Sequence, residues 1–173
     1  DGFLVRLTDA LKENDLYDNT LIAFTSDHGE EFYEHEGWWH GTTLFDEQLH
    51  VPLMMKLPKG LRAGTRVSDL ARLVDVAPTM LAGVGVTSPS AWQGRDLFGD
   101  ESAPSAVYAE EDHEGNVLEL IRTEDWKLGL ANEGNPRGLD SVSLYDLNAD
   151  PGEHENVASQ MADRVAELKG NLE

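Results

Sequence analysis

Residues 21–31 read LIAFTSDHGEE, an apolar run that ends abruptly in Asp27-His28-Gly29. From Thr20 to Thr25 the run is short and continuous, as in a strand covered on both faces. Upstream, Phe3, Leu4, Leu7, Ala10 and Leu11 recur at helical spacing, with Arg6, Asp9, Lys12 and Glu13 on the opposite face. Tyr17-Asp18-Asn19 supplies the turn between them. Helix, tight turn and buried strand make half of an α/β unit, which sets the expected fold class.

Working outward, Val51 to Leu57 (VPLMMKL) predicts a second apolar strand, closed by Pro58-Lys59-Gly60. Residues 29–42, GEEFYEHEGWWHGT, have no clean period and predict a loop held over something. A helix is expected from about Asp75, which can cap it, with Pro78 in its first turn and Gly83 and Gly85 at its end. From Trp92 to Pro104 the pattern lapses into a polar connection. Beyond it VYAEED, VLELIRTEDWKLGL and SLYDL alternate with period two, as antiparallel strands with one solvated face do. A terminal amphipathic helix is expected over roughly 157–168. The expected division is an α/β part over 1–98 and an antiparallel-sheet part over 99–173.

The 173 residues, 40% of them hydrophobic, suffice for one core. The net charge of −20, from 33 acidic and 13 basic residues, argues against a nucleic-acid partner and reads as a solvated acidic surface. Without Cys there is no disulfide, thiolate zinc site or Cys nucleophile in these residues. No apolar run approaches the ~20 residues that span a bilayer. The chain opens without Met, already in a helical pattern, so a fragment of a longer protein is expected.

Open α/β sheets bind ligands beyond the carboxyl ends of their strands. Asp27 and His28 occupy such an end, and a hard carboxylate oxygen beside an imidazole nitrogen suits a divalent cation. Gly29 lets the backbone turn directly behind them. The same tripeptide also reads as a turn with a capping carboxylate. His40 follows twelve residues after His28, behind Trp38 and Trp39, and His35 lies between, flanked by Glu34 and Glu36. Two tryptophans there shield a site from water, or simply pack while the histidines stay exposed. Asp46 and Glu47 are placed to cap or orient the loop that carries His40. His50, His113 and His154 read as structural, and Trp126 as core.

The blocks YDNTLIAFTSDHGEEFYEHEGWWHGTTLFDEQLHVPLMMKLP, LARLVDVAPTML with GRDLFG, IRTEDWKLGL and LYDLNADPGEHENVA follow one another in order. Together they resemble the sulfatase family of the alkaline-phosphatase-like superfamily. The resemblance implies the C-terminal part of an alkaline-phosphatase-like α/β sheet, followed by a small antiparallel sheet with a terminal helix. It further implies hydrolysis of a sulfate ester, of a sugar or an aryl alcohol, with one divalent metal: Ca2+ first, Mg2+ or Mn2+ after it.

Asp27 and His28 match the second pair of metal ligands. Many members carry Asp-Asn there, and Asp-His also occurs among relatives that cleave phosphonate or phosphate esters. His40 matches a Lys or His that contacts the transferred group, where it neutralises charge on the sulfuryl oxygens or protonates the leaving alkoxide. His35 falls where some members place a basic residue, which gives it a supporting contact to substrate.

The family nucleophile is a formylglycine made from a Cys/Ser-x-Pro-x-Arg motif that these residues lack. Thr87-Ser88-Pro89-Ser90 has no Arg and reads as a turn. The expectation is therefore a C-terminal portion of a sulfuric-ester hydrolase, inactive alone. A phosphonate or phosphate-ester hydrolase and a non-catalytic binding module are the alternatives. Open sheet edges predict self-association of the isolated chain. Export is the commoner course for the family and leaves localisation open.

Overall fold

The computed structural model describes residues 2–100 and 102–172. In chain order the elements are α1 (Gly2–Glu13), β1 (Ile22–Thr25), β2 (Glu31–Phe32), β3 (Trp38–Trp39), α2 (Asp46–Leu49), β4 (Leu53–Lys56), α3 (Val76–Gly83), β5 (Val107–His113), β6 (Asn116–Arg122), β7 (Trp126–Ala131), β8 (Val142–Asp146) and α4 (Ala162–Lys169). Backbone contacts group them into two compact units, Asp1–Thr25 with Pro52–Ser102 and Ser26–Val51 with Ala103–Glu173.

In the first unit β1 pairs antiparallel with β4, Ile22 opposite Lys56 and Thr25 opposite Leu53. The run that predicted full cover on both faces does not receive it, since Phe24 remains 37% exposed. A two-stranded sheet has too little apolar material in its own unit to bury two faces. One side does close: α3 packs so tightly on Leu21 that a Cβ at Gly83 would lie 2.4 Å from its Cδ1.

Asp75 is fully buried but does not cap α3 in the expected way. Its carboxylate accepts from the backbone N–H of Arg72 at 2.9 Å and of Arg95 at 3.0 Å, and from the Arg72 guanidinium at 2.8 Å. Burial alone would raise this carboxyl; Arg72 and the two backbone donors outweigh it and hold it below its usual range. Thr79 extends the stitching, accepting from the Leu97 N–H at 2.9 Å. The polar connection after α3 is thus tied to the start of that helix.

The second unit is built on a four-stranded antiparallel sheet in the order β5-β6-β7-β8. Ile121, Leu128 and Leu144 lie on one face and are closed off by Leu168 of α4, with Trp126, Val142 and Val165 around them. Sequence alternation predicted solvent on the other face. Leu118, Leu120 and Lys127, which point to that face, are buried instead. The segment 26–51 folds over that face, with Asp46 reaching both Arg122 and Lys127.

The terminal helix begins at Ala162, later than expected. Val157 donates its N–H to the Leu144 carbonyl at 2.9 Å, and the Leu144 N–H donates to Asn156 Oδ1 at 3.0 Å. Residues 156–157 therefore extend the pairing of β8 rather than start a helix. No described helix is long and apolar enough to cross a membrane.

Candidate functional site

Asp27 and His28 follow β1 after Ser26, at the start of the second unit. His28 Nδ1 lies 2.8 Å from the Gly29 carbonyl oxygen. A carbonyl can only accept, so Nδ1 carries the proton of that bond and Nε2 is left for a ligand. Asp27 Oδ1 accepts the His28 backbone N–H at 3.0 Å and sits 3.9 Å from His28 Nε2. That backbone N–H, above all, holds the Asp27 carboxyl below its usual range. A divalent ion about 2.0–2.4 Å from each donor fits between two atoms at this separation. The pair therefore suits two corners of a metal site. Among the described residues no group of three His, Cys, Asp or Glu could hold the ion by itself.

His40 joins them. Its ring stacks on His28 with centroids 3.9 Å apart and planes 27° apart. Its Nδ1 lies 3.1 Å from Glu30 Oε1, so Glu30 accepts and Nε2 is again the outward atom. Just beyond, a Cβ on Gly41 would lie 3.5 Å from His113 Cδ2, which brings the β5–β6 turn beside His40. Trp38 and Trp39 do not roof this group: they are 57% and 72% exposed. Trp39 also holds a φ of +76°, a left-handed conformation that bulky residues rarely adopt.

His35 is elsewhere. Its Nδ1 lies 2.7 Å from Glu47 Oε1 and its Nε2 3.1 Å from the Glu153 carbonyl oxygen. Its ring stacks on Phe45 at 3.6 Å. Both nitrogens meet acceptors inside the protein, so neither remains for a substrate, against the supporting contact expected from the sequence.

A backbone clamp sets the position of the Asp27-His28 turn. Gly29 N–H donates to the Gln48 carbonyl at 2.8 Å and Glu30 N–H to the Glu47 carbonyl at 3.0 Å. The approach is so close that a Cβ at Gly29 would lie 1.9 Å from the Glu47 carbonyl oxygen. Backbone cannot step aside as a side chain can. Gly29→Ala is therefore expected to destabilise the fold by about 1–3 kcal/mol, as over-packing does. The urea midpoint measures it, and an unchanged midpoint would mean that the clamp opens freely.

Beneath the clamp lie charged groups that the sequence pattern did not single out. Glu31, fully buried, accepts from Arg137 Nη2 at 2.6 Å and from the Gly37 N–H at 2.8 Å. Lys127, 1% exposed, bridges Asp46 at 2.8 Å and Glu153 at 2.5 Å. Arg122 adds a second contact to Asp46 at 2.6 Å. Burial would raise the Asp46 carboxyl, but Lys127 and then Arg122 hold it low. Burial prevails at Glu153 and pushes its carboxyl up. Asp46 thus orients the loop as its position suggested, through partners on β6 and β7.

With this geometry in hand, comparison with known proteins is informative. The Sulfatase family model matches residues 1–86. Human arylsulfatase K is similar at 33% identity over 186 residues, taking in 99% of this chain and 34% of that protein. A protein solved in complex with its substrate D-glucosamine-2-N,6-O-disulfate matches at 31% identity and a TM-score of 0.83, over 96% of this chain and 36% of that one. The phosphonate monoester hydrolase of Agrobacterium radiobacter matches at 29% identity and a TM-score of 0.82, over 98% of this chain and 37% of that one. The chain spans about a third of the length of the relatives that it matches.

Proposed function

The chain belongs to the sulfatase family, and from that premise we propose that it is part of a sulfuric-ester hydrolase whose substrate is a sulfated sugar. Asp27 and His28 supply two ligands to one divalent cation, and His40 contacts the sulfuryl group. The observation that carries this is the stacked His28–His40 pair, with each Nδ1 tied to an acceptor so that each Nε2 is left for a ligand. Sulfatases in general use a divalent metal. Calcium is the ion proposed for this site, ahead of magnesium and manganese, as the family resemblance implies; a carboxylate oxygen suits any of the three.

When bound, the cation supplies Lewis-acid polarisation of the sulfate ester. The residues of this chain do the rest of what is proposed here. Asp27 and His28 orient the ester. His40 Nε2 places an N–H against the sulfuryl oxygens or hands a proton to the departing sugar oxygen. His35 is assigned to the scaffold, because its nitrogens are already engaged. The sugar assignment draws support from the relative bound to glucosamine disulfate. These residues contain no Cys/Ser-x-Pro-x-Arg motif, so the chain by itself is expected not to turn over.

A second reading, hydrolysis of phosphonate or phosphate monoesters, draws on the Agrobacterium enzyme and on Asp-His in place of Asp-Asn. The full-length protein, assayed on glucosamine 6-sulfate and on a phenyl phosphonate ester with and without a chelator, separates them. Chelator-sensitive release of sulfate is the expected result. Preference for the phosphonate would install the second reading, and turnover of neither would overturn both.

A further inference from the structure

We propose that Glu30 is a positioning residue of this site, acting through His40. The assignment rests on the reading of His40 as the group that meets the sulfuryl oxygens. Glu30 carries a carboxylate next to a place meant for an anionic ester, where an uncompensated negative charge would repel the substrate. Its geometry accounts for its presence. The Glu30 backbone is pinned by the Glu47 carbonyl at 3.0 Å, and both carboxylate oxygens lie within reach of His40 Nδ1, at 3.1 and 3.3 Å.

The imidazole is therefore held on two sides, by the carboxylate at its edge and by the His28 ring on its face at 3.9 Å. A carboxylate acceptor requires the proton on Nδ1. Whether the ring is neutral or charged, Nε2 is then the atom left to the ligand. Without Glu30 the ring can flip about its Cβ–Cγ bond and exchange its two nitrogens. A parallel arrangement lies beside it: Glu47 holds His35 Nδ1 at 2.7 Å, but there the second nitrogen is engaged within the fold. Of these two hydrogen-bonded pairs, the one built on Glu30 leaves a nitrogen for chemistry. Partners of this kind, one shell behind a working histidine, typically contribute about 10- to 100-fold.

The test uses the full-length protein. Glu30→Ala is expected to lower kcat by about 10- to 100-fold with KM little changed. Glu30→Gln, which keeps an acceptor oxygen, should recover most of the loss. In a His40→Ala background, Glu30→Ala should have no further effect, because it acts through His40. Nitrogen-15 spectra of the His40 ring give a readout independent of turnover: protonated Nδ1 in the parent, a mixture of tautomers in Glu30→Ala. A kcat loss that persists without His40, or an unchanged His40 tautomer in Glu30→Ala, overturns the proposal. If no sulfate ester is turned over but the tautomer responds as expected, the functional reading fails while the positioning of His40 by Glu30 stands.

Discussion

Lys127→Met is expected to destabilise the fold by about 3–5 kcal/mol, the usual result of removing one partner from a buried ion pair. Lys127 is 1% exposed and lies between Asp46 at 2.8 Å and Glu153 at 2.5 Å. Methionine fills most of the same volume, so the loss is not one of packing. It comes from leaving two carboxylates in a nearly dry place where Arg122 reaches Asp46 and not Glu153.

The pH dependence should change with it. In the parent, Asp46 titrates below its ordinary value, so its stabilisation is complete above that value and is lost as pH falls through the lower folded one. Glu153 has the opposite sign: its raised folded value means that acidification favours its folded, protonated form. Removing Lys127 takes away the main support for the Asp46 anion and a lowering partner of Glu153, so both folded values rise. Stability lost on acidification shrinks, and the cost of the substitution is largest near neutral pH and smaller at pH 4. Urea unfolding between pH 4 and 8 measures both effects. A variant within about 0.5 kcal/mol of the parent at neutral pH, the range of an ordinary surface substitution, would show that the bridge contributes nothing net.

Lys127 also marks the limit of what was legible beforehand. Within KLGL it is one charged residue in a period-two strand, and alternation sends such a residue to solvent. It is buried because residues 26–51 cover that face of β6 and β7, and nothing in strand periodicity announces a cover whose Asp46 lies 81 residues upstream. Glu31 and Glu153 were hidden for the same reason, their partners being 106 and 26 residues away in the chain. The elements were easier to read. β4, α3 and the four strands from Val107 to Asp146 follow apolar spacing and turn residues that act locally. β1 formed as well, but its continuous apolar run predicted a second covered face that its own unit cannot supply. The site divides similarly. Asp27, His28 and His40 were visible as chemistry-bearing residues at a strand end, whereas Glu30 sits in an acidic run, where one carboxylate looks like the next. His35 was visible too, and its spacing could not reveal that both its nitrogens turn inward.

Asp27→Ala tests the opposite kind of residue, with a small effect on stability and a large one on turnover. Its side chain is 88% exposed. Its contacts are local, with Ser26 and with the backbone N–H of His28. Removing an exposed carboxylate of this kind should change folding stability by no more than about 0.5 kcal/mol. If Asp27 holds the cation, the same change should remove most of the several kcal/mol that a Lewis-acid ion gives to charge development, which is about a thousandfold in kcat for the full-length protein. Metal content per molecule, measured beside the urea midpoint, should fall while the midpoint stays in place. A turn carboxylate predicts the reverse pattern, with stability lost and bound metal kept. Because the two readings of Asp-His-Gly differ in sign on both measurements, one variant decides between them. Retained metal with kcat within a few-fold of the parent would leave Asp27 as a turn residue and remove half of the proposed site.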